Sequence, residues 1–323
     1  MKPTALLAPP VRCLIVDEMH ESLLPLLTEI GVFGDYQPTL AAAAVPAALA
    51  AGGYEGLIVR SKLFLSADII AATPKLRFVA RAGAGTDNLD EDALLAAGIH
   101  IINAPEGNRD AVGEFTIGLL LGLLRHIPRA HAQVLRGEWH RETNRGTELA
   151  DLTVGIVGFG HMGASFAQRL SGFGCRVLAH DLQSEKISRS LAQSVSLDEL
   201  RMRAEVISLH VPLTDDTRQL VDAHWLAACP RLRWLLNTAR GEVVATHAVV
   251  RALRSGQLAG AALDVLENER FATLTSEQAA DLAFLQVHPN VVLTPHIGGW
   301  TTASYARINE VLVRKLSRFI AGG

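Results

Sequence analysis

Short, nearly continuous apolar runs alternate along this chain with segments whose apolar residues return at helical spacing. Val11–Asp17 (VRCLIVD), Gly56–Arg60 (GLIVR), Leu76–Ala80 (LRFVA) and Ile99–Asn103 (IHIIN) read as short strands, the first as a buried one. Glu21–Ile30 reads as a helix ending at Gly31. The alanine-rich Leu40–Ala51 reads as another, with Pro46 near its start. A further helix, Ala111–Arg125, is expected after the turn and cap residues of NAPEGNRD. A second series opens at Val154 and runs through Val177–Asp181, Val206–His210, Trp234–Asn237, Gly260–Asp264 and Val291–Leu293. The amphipathic stretch Ala303–Ile320 closes the chain as a helix.

Strands alternating with helices imply parallel βαβ units. We therefore expect an α/β protein of two doubly wound parallel sheets, of the Rossmann and flavodoxin kind. Because the final helix follows completion of the second sheet, the second domain reads as inserted in the first. The expected boundaries are 1–105 with 298–323 for a substrate-binding domain, and 106–297 for a nucleotide-binding domain.

The richest stretch is VGIVGFGHMG, residues 154–163. An apolar strand leads into Gly158, Gly160 and Gly163, and a helical pattern follows. Gly158 permits a tight turn, Gly160 lets a pyrophosphate approach the backbone, and Gly163 lets helix and strand pack closely. The helix N-terminus offers free N–H groups to phosphates. Asp181, ending the next apolar run CRVLAHD, is placed to accept hydrogen bonds from ribose hydroxyls. Its charge would repel a 2′-phosphate, which favours NAD over NADP. The plainer alternative is a glycine-rich turn in some other α/β domain.

Composition narrows the classes. With 323 residues, the chain suits two domains. Lys and Arg number 30 against 33 Asp and Glu, a formal charge of −3 with no polyanion signature, so no nucleic-acid partner is expected. Cys13, Cys175 and Cys229 are scattered without metal-ligand spacing; neither a metal nor a disulfide framework is expected, and a reducing cytoplasm fits. The segment MKPTALLAPPV is too short in its apolar part for a signal sequence, and FTIGLLLGLL (115–124) is half a membrane span. The latter reads as a buried helix, and no membrane association is expected.

Three segments beyond the glycine turn carry candidate chemistry at strand ends: NTARGEVV (237–244), ALDVLENE (262–269) and TPHIGG (294–299). They supply Arg240, Glu269 and His296. Arg240 can pair with a substrate carboxylate or polarise a carbonyl. His296 can exchange the proton on a substrate oxygen, and Glu269 can hold the imidazole in place. Singly, each has a blander reading, as a surface ion pair or a solvated charge. Together, downstream of a dinucleotide fingerprint, they suit hydride transfer at a 2-hydroxy or 2-oxo acid.

The motifs GFGHMG, LHVPLT, NTARGEVV, GAALDVLENE and TPHIGG, in this order, resemble the D-isomer-specific 2-hydroxyacid dehydrogenase family over essentially the whole chain. The resemblance implies NAD as cofactor, a homodimer, and Arg240, Glu269 and His296 as catalytic residues. It implies that His161 and Met162 meet the pyrophosphate, that Thr238 and Ala239 line the nicotinamide side, and that Asp264 bonds the carboxamide. Gly298 and Pro212 are counted with them. His210 reads either as a cofactor neighbour or as a simple strand cap. The family usually has Pro after the catalytic Glu; here it is Arg270, which leaves the aim of Glu269 open and keeps Glu267 as a substitute. The apolar helix around GEFTIGLLLGLLR reads as dimer-forming or as a core helix.

Within the family, RAGAGTDNLD, NAPEGN and GEWHRE are most similar to phosphoglycerate dehydrogenases. That implies backbone N–H groups of Ala84 and Gly85 as a carboxylate cradle, with Asn108 at the junction of cofactor and substrate. A phosphorylated 2-hydroxy acid needs further cations; Arg60, Lys62, Arg81 and Arg141 are candidates, each with a surface-charge alternative. The chain's end soon after the last helix leaves no regulatory domain in view. The rivals are a glyoxylate or hydroxypyruvate reductase and, from another class, an NAD-sensing corepressor-like binding protein. A formate dehydrogenase would place Gln where Pro295 stands.

Overall fold

In the computed structural model, residues 10–322 are described. Residues 1–9, which carry most of the segment weighed as a signal, lie outside the described residues, as does Gly323. The chain forms two compact units, one built from residues up to Asn108 and from Trp300 onward, the other from Arg109–Gly299.

The first unit is a five-stranded parallel sheet: β1 (Val11–Ile15), β2 (Val32–Tyr36), β3 (Gly56–Val59), β4 (Phe78–Arg81) and β5 (His100–Asn103), in the order β2-β1-β3-β4-β5. Side chains alternate between its faces. Cys13, Ile15, Ile58, Phe78 and Ile102 pack on one side against Leu23, Leu27, Leu312 and Leu316. Leu14, Leu57, Val59 and Val79 pack on the other against Leu49, Ile70 and Leu94. Burial on both faces is why these runs are apolar throughout. The helix Thr302–Ile320 brings Ile308, Val311 and Leu312 back to this unit's core.

The strand β2 has no counterpart among the sequence expectations. VFGDY is interrupted by Gly34 and Asp35, so its apolar signal is weak. The glycine is sterically required: a Cβ there would stand 2.9 Å from Ile15 Cδ1 and 3.0 Å from Leu24 Cδ2.

The second unit has seven parallel strands: β6 (Thr153–Val157), β7 (Arg176–His180), β8 (Gln193–Ser194), β9 (Val206–Leu209), β10 (Trp234–Asn237), β11 (Gly260–Leu263) and β12 (Val291–Leu293). Their order is β12-β11-β10-β9-β6-β7-β8. Leu200, Trp225, Val249 and Leu253 cover one face; Leu120, Leu124, Phe166 and Leu170 cover the other. Strand order reverses between β6 and β9, and in the first unit between β1 and β3. Such reversals open a crevice beyond the carboxyl ends of the strands.

One helix spans Pro105–Leu124, starting earlier than the expected Ala111. Proline suits the first helical position, where its missing N–H would be unpaired anyway, and Glu106 complements the positive end of the helix dipole. The cluster NAPEGNRD thus forms mostly helix rather than turn. Leu119, Leu120, Leu123 and Leu124 are buried in their own unit's core. No single described helix is long and apolar enough to cross a membrane; the bent pair Pro105–Leu124 and Ile127–Leu135 passes on length and composition together.

The division between units falls slightly later than the sequence boundaries. Gly107 belongs to the first unit, where a Cβ would lie 2.6 Å from Ile308 Cα. Gly298 belongs to the second, where its N–H donates to Asp264 Oδ2 at 2.8 Å.

Candidate active site

The turn after β6 fulfils the three glycine roles separately. Gly158 has φ +90°, and a Cβ would stand 2.6 Å from the His210 carbonyl oxygen. At Gly163 a Cβ would come 2.1 Å from the Gly158 carbonyl oxygen, so the helix His161–Leu170 reaches the turn only because that atom is missing. Gly160 faces open space. Beside it a cavity of about 440 Å³ is lined by Arg109, Phe159, His161, Ser165 and Lys186. His161 is exposed and Met162 half-buried in the first helical turn. Asp181, just past β7, accepts the Phe159 N–H at 2.6 Å and the Gln183 N–H at 2.8 Å, which ties the acid to the glycine turn.

His210 closes β9 against this turn. One ring nitrogen lies 2.9 Å from Ser208 Oγ, the ring leans on Phe166, and Nδ1 is sheltered without a hydrogen-bond partner. Burial pulls its pKa down to about 3, so the ring is neutral at physiological pH. Pro212 is exposed, and its carbonyl accepts from Thr217 Oγ1 at 2.7 Å. A sheltered, unbonded ring nitrogen at His210 and an open glycine face at the start of a helix without a side-chain cap fit a dinucleotide in this crevice.

Three loops at the ends of β10, β11 and β12 hold the remaining groups. Asn237, fully buried, accepts the Ala239 N–H at 3.0 Å and donates to the Arg240 carbonyl at 2.8 Å. This folds the chain so that Arg240 leaves the strand end; its Nη1 donates to the Ala239 carbonyl at 2.7 Å. Thr238 Oγ1 lies 3.2 Å from Thr116 Oγ1. At Gly241 a Cβ would be 1.8 Å from the Leu266 carbonyl oxygen, so the Arg240 loop lies backbone to backbone on the loop carrying Glu269.

His296 sits in the left-handed region, φ +56°. Its N–H donates to the Asp264 carbonyl at 2.8 Å. The Asp264 side chain, 2% exposed, accepts from Thr294 Oγ1 (2.6 Å), the Ile297 N–H (3.0 Å) and the Gly298 N–H (2.8 Å). One carboxylate therefore fixes the whole TPHIGG turn. His296 Nδ1 stands 3.1 Å from Glu269 Oε1, with both side chains half-exposed. The hydrogen bond from His296 holds the Glu269 carboxyl below the usual carboxylate range against the opposing effect of burial, and Arg240 adds a smaller push in the same direction. Since an ionised carboxylate only accepts, Nδ1 carries a proton, and in the neutral ring Nε2 is then the acceptor.

Glu267 is spoken for: its carboxylate accepts from Gln219 Nε2 (3.0 Å) and the Thr246 N–H (3.1 Å). Arg270 does not misdirect Glu269. Its backbone N–H donates to Asn268 Oδ1 at 2.9 Å, a bond that proline lacks.

In the first unit, the loop after β4 is braced by Asn103 Nδ2 donating to the Ala84 carbonyl (2.9 Å) and Ala104 N–H to that of Gly83 (2.8 Å). Ala84 and Gly85 remain partly accessible on this loop. Asn108 Oδ1 is buried without a partner. The Arg81 guanidinium folds over Gly83, where a Cβ would meet it at 1.6 Å. Arg60 rests on Trp300 and Tyr305, 4.5 and 5.2 Å from the ring centroids. Lys62 is a correction: its ammonium donates to the carbonyls of Pro38 and Leu40 and is committed to holding that loop. The Arg141 side chain is almost fully exposed beside Glu142. Among the described residues, no three His, Cys, Asp or Glu gather as a metal site.

Sequence reasoning missed Asn237, Gly241, Thr294 and Trp300. The first two carried a signal: an Asn ending an apolar strand, and a Gly directly after the candidate Arg.

Residues 117–298 match the family model described as D-isomer specific 2-hydroxyacid dehydrogenase, NAD binding domain. The chain is 38% identical over 270 residues to D-3-phosphoglycerate dehydrogenase of Homo sapiens, covering 83% of this chain and 49% of that one. It thus spans about half the length of the curated relatives it matches. Its structure is similar to that of D-lactate dehydrogenase from Aquifex aeolicus complexed with NAD and lactic acid (TM-score 0.82, 26% identity, 96% of each chain). It is also similar to a glyoxylate reductase from Paecilomyes thermophila (TM-score 0.83, 28% identity, 96% of this chain and 95% of that one). With the glycine turn, the acid after β7 and the His–Glu pair already in place, the match over residues 117–298 settles the lineage: the chain belongs to the D-isomer-specific 2-hydroxyacid dehydrogenase family.

Proposed function

We propose that this protein is an NAD-dependent dehydrogenase that oxidises D-3-phosphoglycerate to 3-phosphohydroxypyruvate, a step of serine biosynthesis. The observation that carries the reading is the His296–Glu269 pair at 3.1 Å, on the sheet that also bears the glycine turn. Glu269 fixes the tautomer, so Nε2 of His296 accepts the proton from the substrate C2 hydroxyl. Arg240 presents a permanently charged fork to the substrate carboxylate or its C2 oxygen. Ala84 and Gly85 cradle the carboxylate, and Arg60 and Arg81 meet the phosphate.

The cofactor-holding residues are Gly158, Gly160, His161, Met162 and Gly163 for the pyrophosphate, and Asp181 for the adenosine ribose. His210, Pro212, Thr238, Ala239, Asp264, Gly298 and Asn108 attend the nicotinamide end. When bound, the nicotinamide supplies the hydride acceptor. Asp181 disfavours a 2′-phosphate, which selects NAD.

Purified protein should reduce NAD with D-3-phosphoglycerate. His296→Ala should abolish that turnover while NAD affinity, measured by calorimetry, stays near wild type. Retained turnover contradicts the assignment, and absence of turnover in the wild type with any 2-hydroxy or 2-oxo acid favours the corepressor-like alternative.

A glyoxylate or hydroxypyruvate reductase is the second reading. It is favoured by the commitment of Lys62 to backbone carbonyls, which leaves one cation fewer for a phosphate. Comparison of kcat/KM among the three acids separates the two, and an Arg60→Ala variant that weakens phosphorylated and unphosphorylated acids equally contradicts a phosphate site.

A homodimer is proposed from the apolar surface after the core helix: the helix Ile127–Leu135 and its continuation leave Ile127, Val134, Leu135 and Trp139 exposed. Sedimentation of Leu135→Glu should show loss of the dimer. Three unpaired cysteines suit a reducing, cytoplasmic setting.

A further inference from the structure

We propose that Trp300 and Tyr305 set the preference for a phosphorylated substrate by holding the Arg60 guanidinium against their rings. The inference deepens the reading above and rests on its assignment of Arg60 to the phosphate.

Arg60 directly follows β3, and its backbone N–H donates to Asp17 Oδ2 at 2.6 Å. Asp17 lies just past the end of β1. The two strands flank the point where strand order reverses in the first sheet, the place where doubly wound sheets receive ligands. The base of the side chain is therefore fixed at a ligand crevice.

Arg12 and Arg77 of this unit also lie over rings, but each is bonded in addition to a carbonyl or a carboxylate. Lys62 bonds carbonyls, Lys315 bonds Glu106, and Arg77 pairs with Glu55. Arg60 instead lies over the Trp300 ring at 4.5 Å and the Tyr305 ring at 5.2 Å, and these rings lie 5.0 Å apart, tilted by 46°. Aromatic rings hold a guanidinium without neutralising its charge, and Arg60 also hydrogen-bonds the Tyr305 side chain, which orders its fork and leaves further N–H groups for a ligand. A doubly charged phosphate asks for that arrangement: a bidentate donor, already ordered, with its full charge.

The clamp is itself braced. Trp300 immediately precedes Thr301, which caps the helix Thr302–Ile320 through the Ser304 N–H. The Tyr305 ring meets His20 edge-on at 5.6 Å, and Asn309 on the next turn of the helix donates to the His20 carbonyl at 3.1 Å. Arg60 itself is partly exposed, beside a Trp300 that is 53% exposed.

The test is steady-state kinetics with D-3-phosphoglycerate and D-glycerate in wild type, Trp300→Leu, Trp300→Phe, Tyr305→Leu and Arg60→Ala, and in Trp300→Leu combined with Arg60→Ala. Trp300→Leu and Tyr305→Leu are expected to raise KM for the phosphorylated acid about tenfold with kcat retained and KM for D-glycerate unchanged. Trp300→Phe should restore most of the loss. In the Arg60→Ala background, Trp300→Leu should add nothing, because its effect runs through the guanidinium. A wild-type preference for phosphoglycerate that survives Trp300→Leu, or an equal loss for both acids, overturns the clamp alone. Equal kcat/KM for both acids in the wild type overturns the phosphate reading together with the clamp.

Discussion

At His296 the backbone adopts φ +56°, a conformation that costs an L-residue with a side chain roughly 1 kcal/mol. Asp264 offsets that cost by collecting three donors of the same turn. Asp264→Ala strands those donors, and a loss of about 3 kcal/mol in urea unfolding is expected, with turnover falling alongside. Glu269→Gln keeps the shape but loses the charge that fixes the imidazole; kcat/KM should drop by about 100-fold, read in steady-state assays. Because its folded-state carboxyl is held below the ordinary value, Glu269 contributes stability above that value and loses it as pH falls through the lowered one. The segments carrying Arg240, Glu269 and His296 stood out because each follows an apolar strand. Glu267, the alternative to Glu269, is engaged by Gln219 and Thr246, partners distant in the chain that no local pattern announces.

At the scale of elements, apolar runs covered on both faces were easy to read, and β2 was not, because an edge strand with Gly34 and Asp35 lacks that pattern. The fingerprint turn was legible, since Gly158 and Gly163 answer separate steric demands and Gly160 leaves an open face. The Arg240 loop was half legible: the motif marked it, but its seat on the Glu269 loop depends on Gly241. Gly241→Ala would push a methyl into the Leu266 carbonyl at 1.8 Å. A loss of about 1–3 kcal/mol in thermal or urea unfolding is expected, with catalysis falling more than NAD affinity.

For the whole molecule, the insertion of one unit in the other was visible in a final helix that follows a finished sheet; its boundaries were not, because Pro105–Leu124 begins in one unit's packing and continues into the other's. The neutral His210, whose Nδ1 is sheltered, gives folding stability a pH dependence. Its folded pKa of about 3 lies below the ordinary 6.5, so between these values the unfolded chain binds a proton that the folded one does not. Stability from this residue is present above pH 6.5 and falls by up to about 1.4 kcal/mol per unit as pH drops towards 3. Urea titrations at several pH values should show a shallower acid slope in His210→Gln.

The central claim, that the Glu269-paired imidazole moves the substrate proton, is tested most directly by single-turnover NADH formation from D-3-phosphoglycerate at saturating NAD in wild type and His296→Asn. The account predicts a rate at least about 100-fold lower in the variant with NAD fully bound; rates within a few-fold of each other would contradict it.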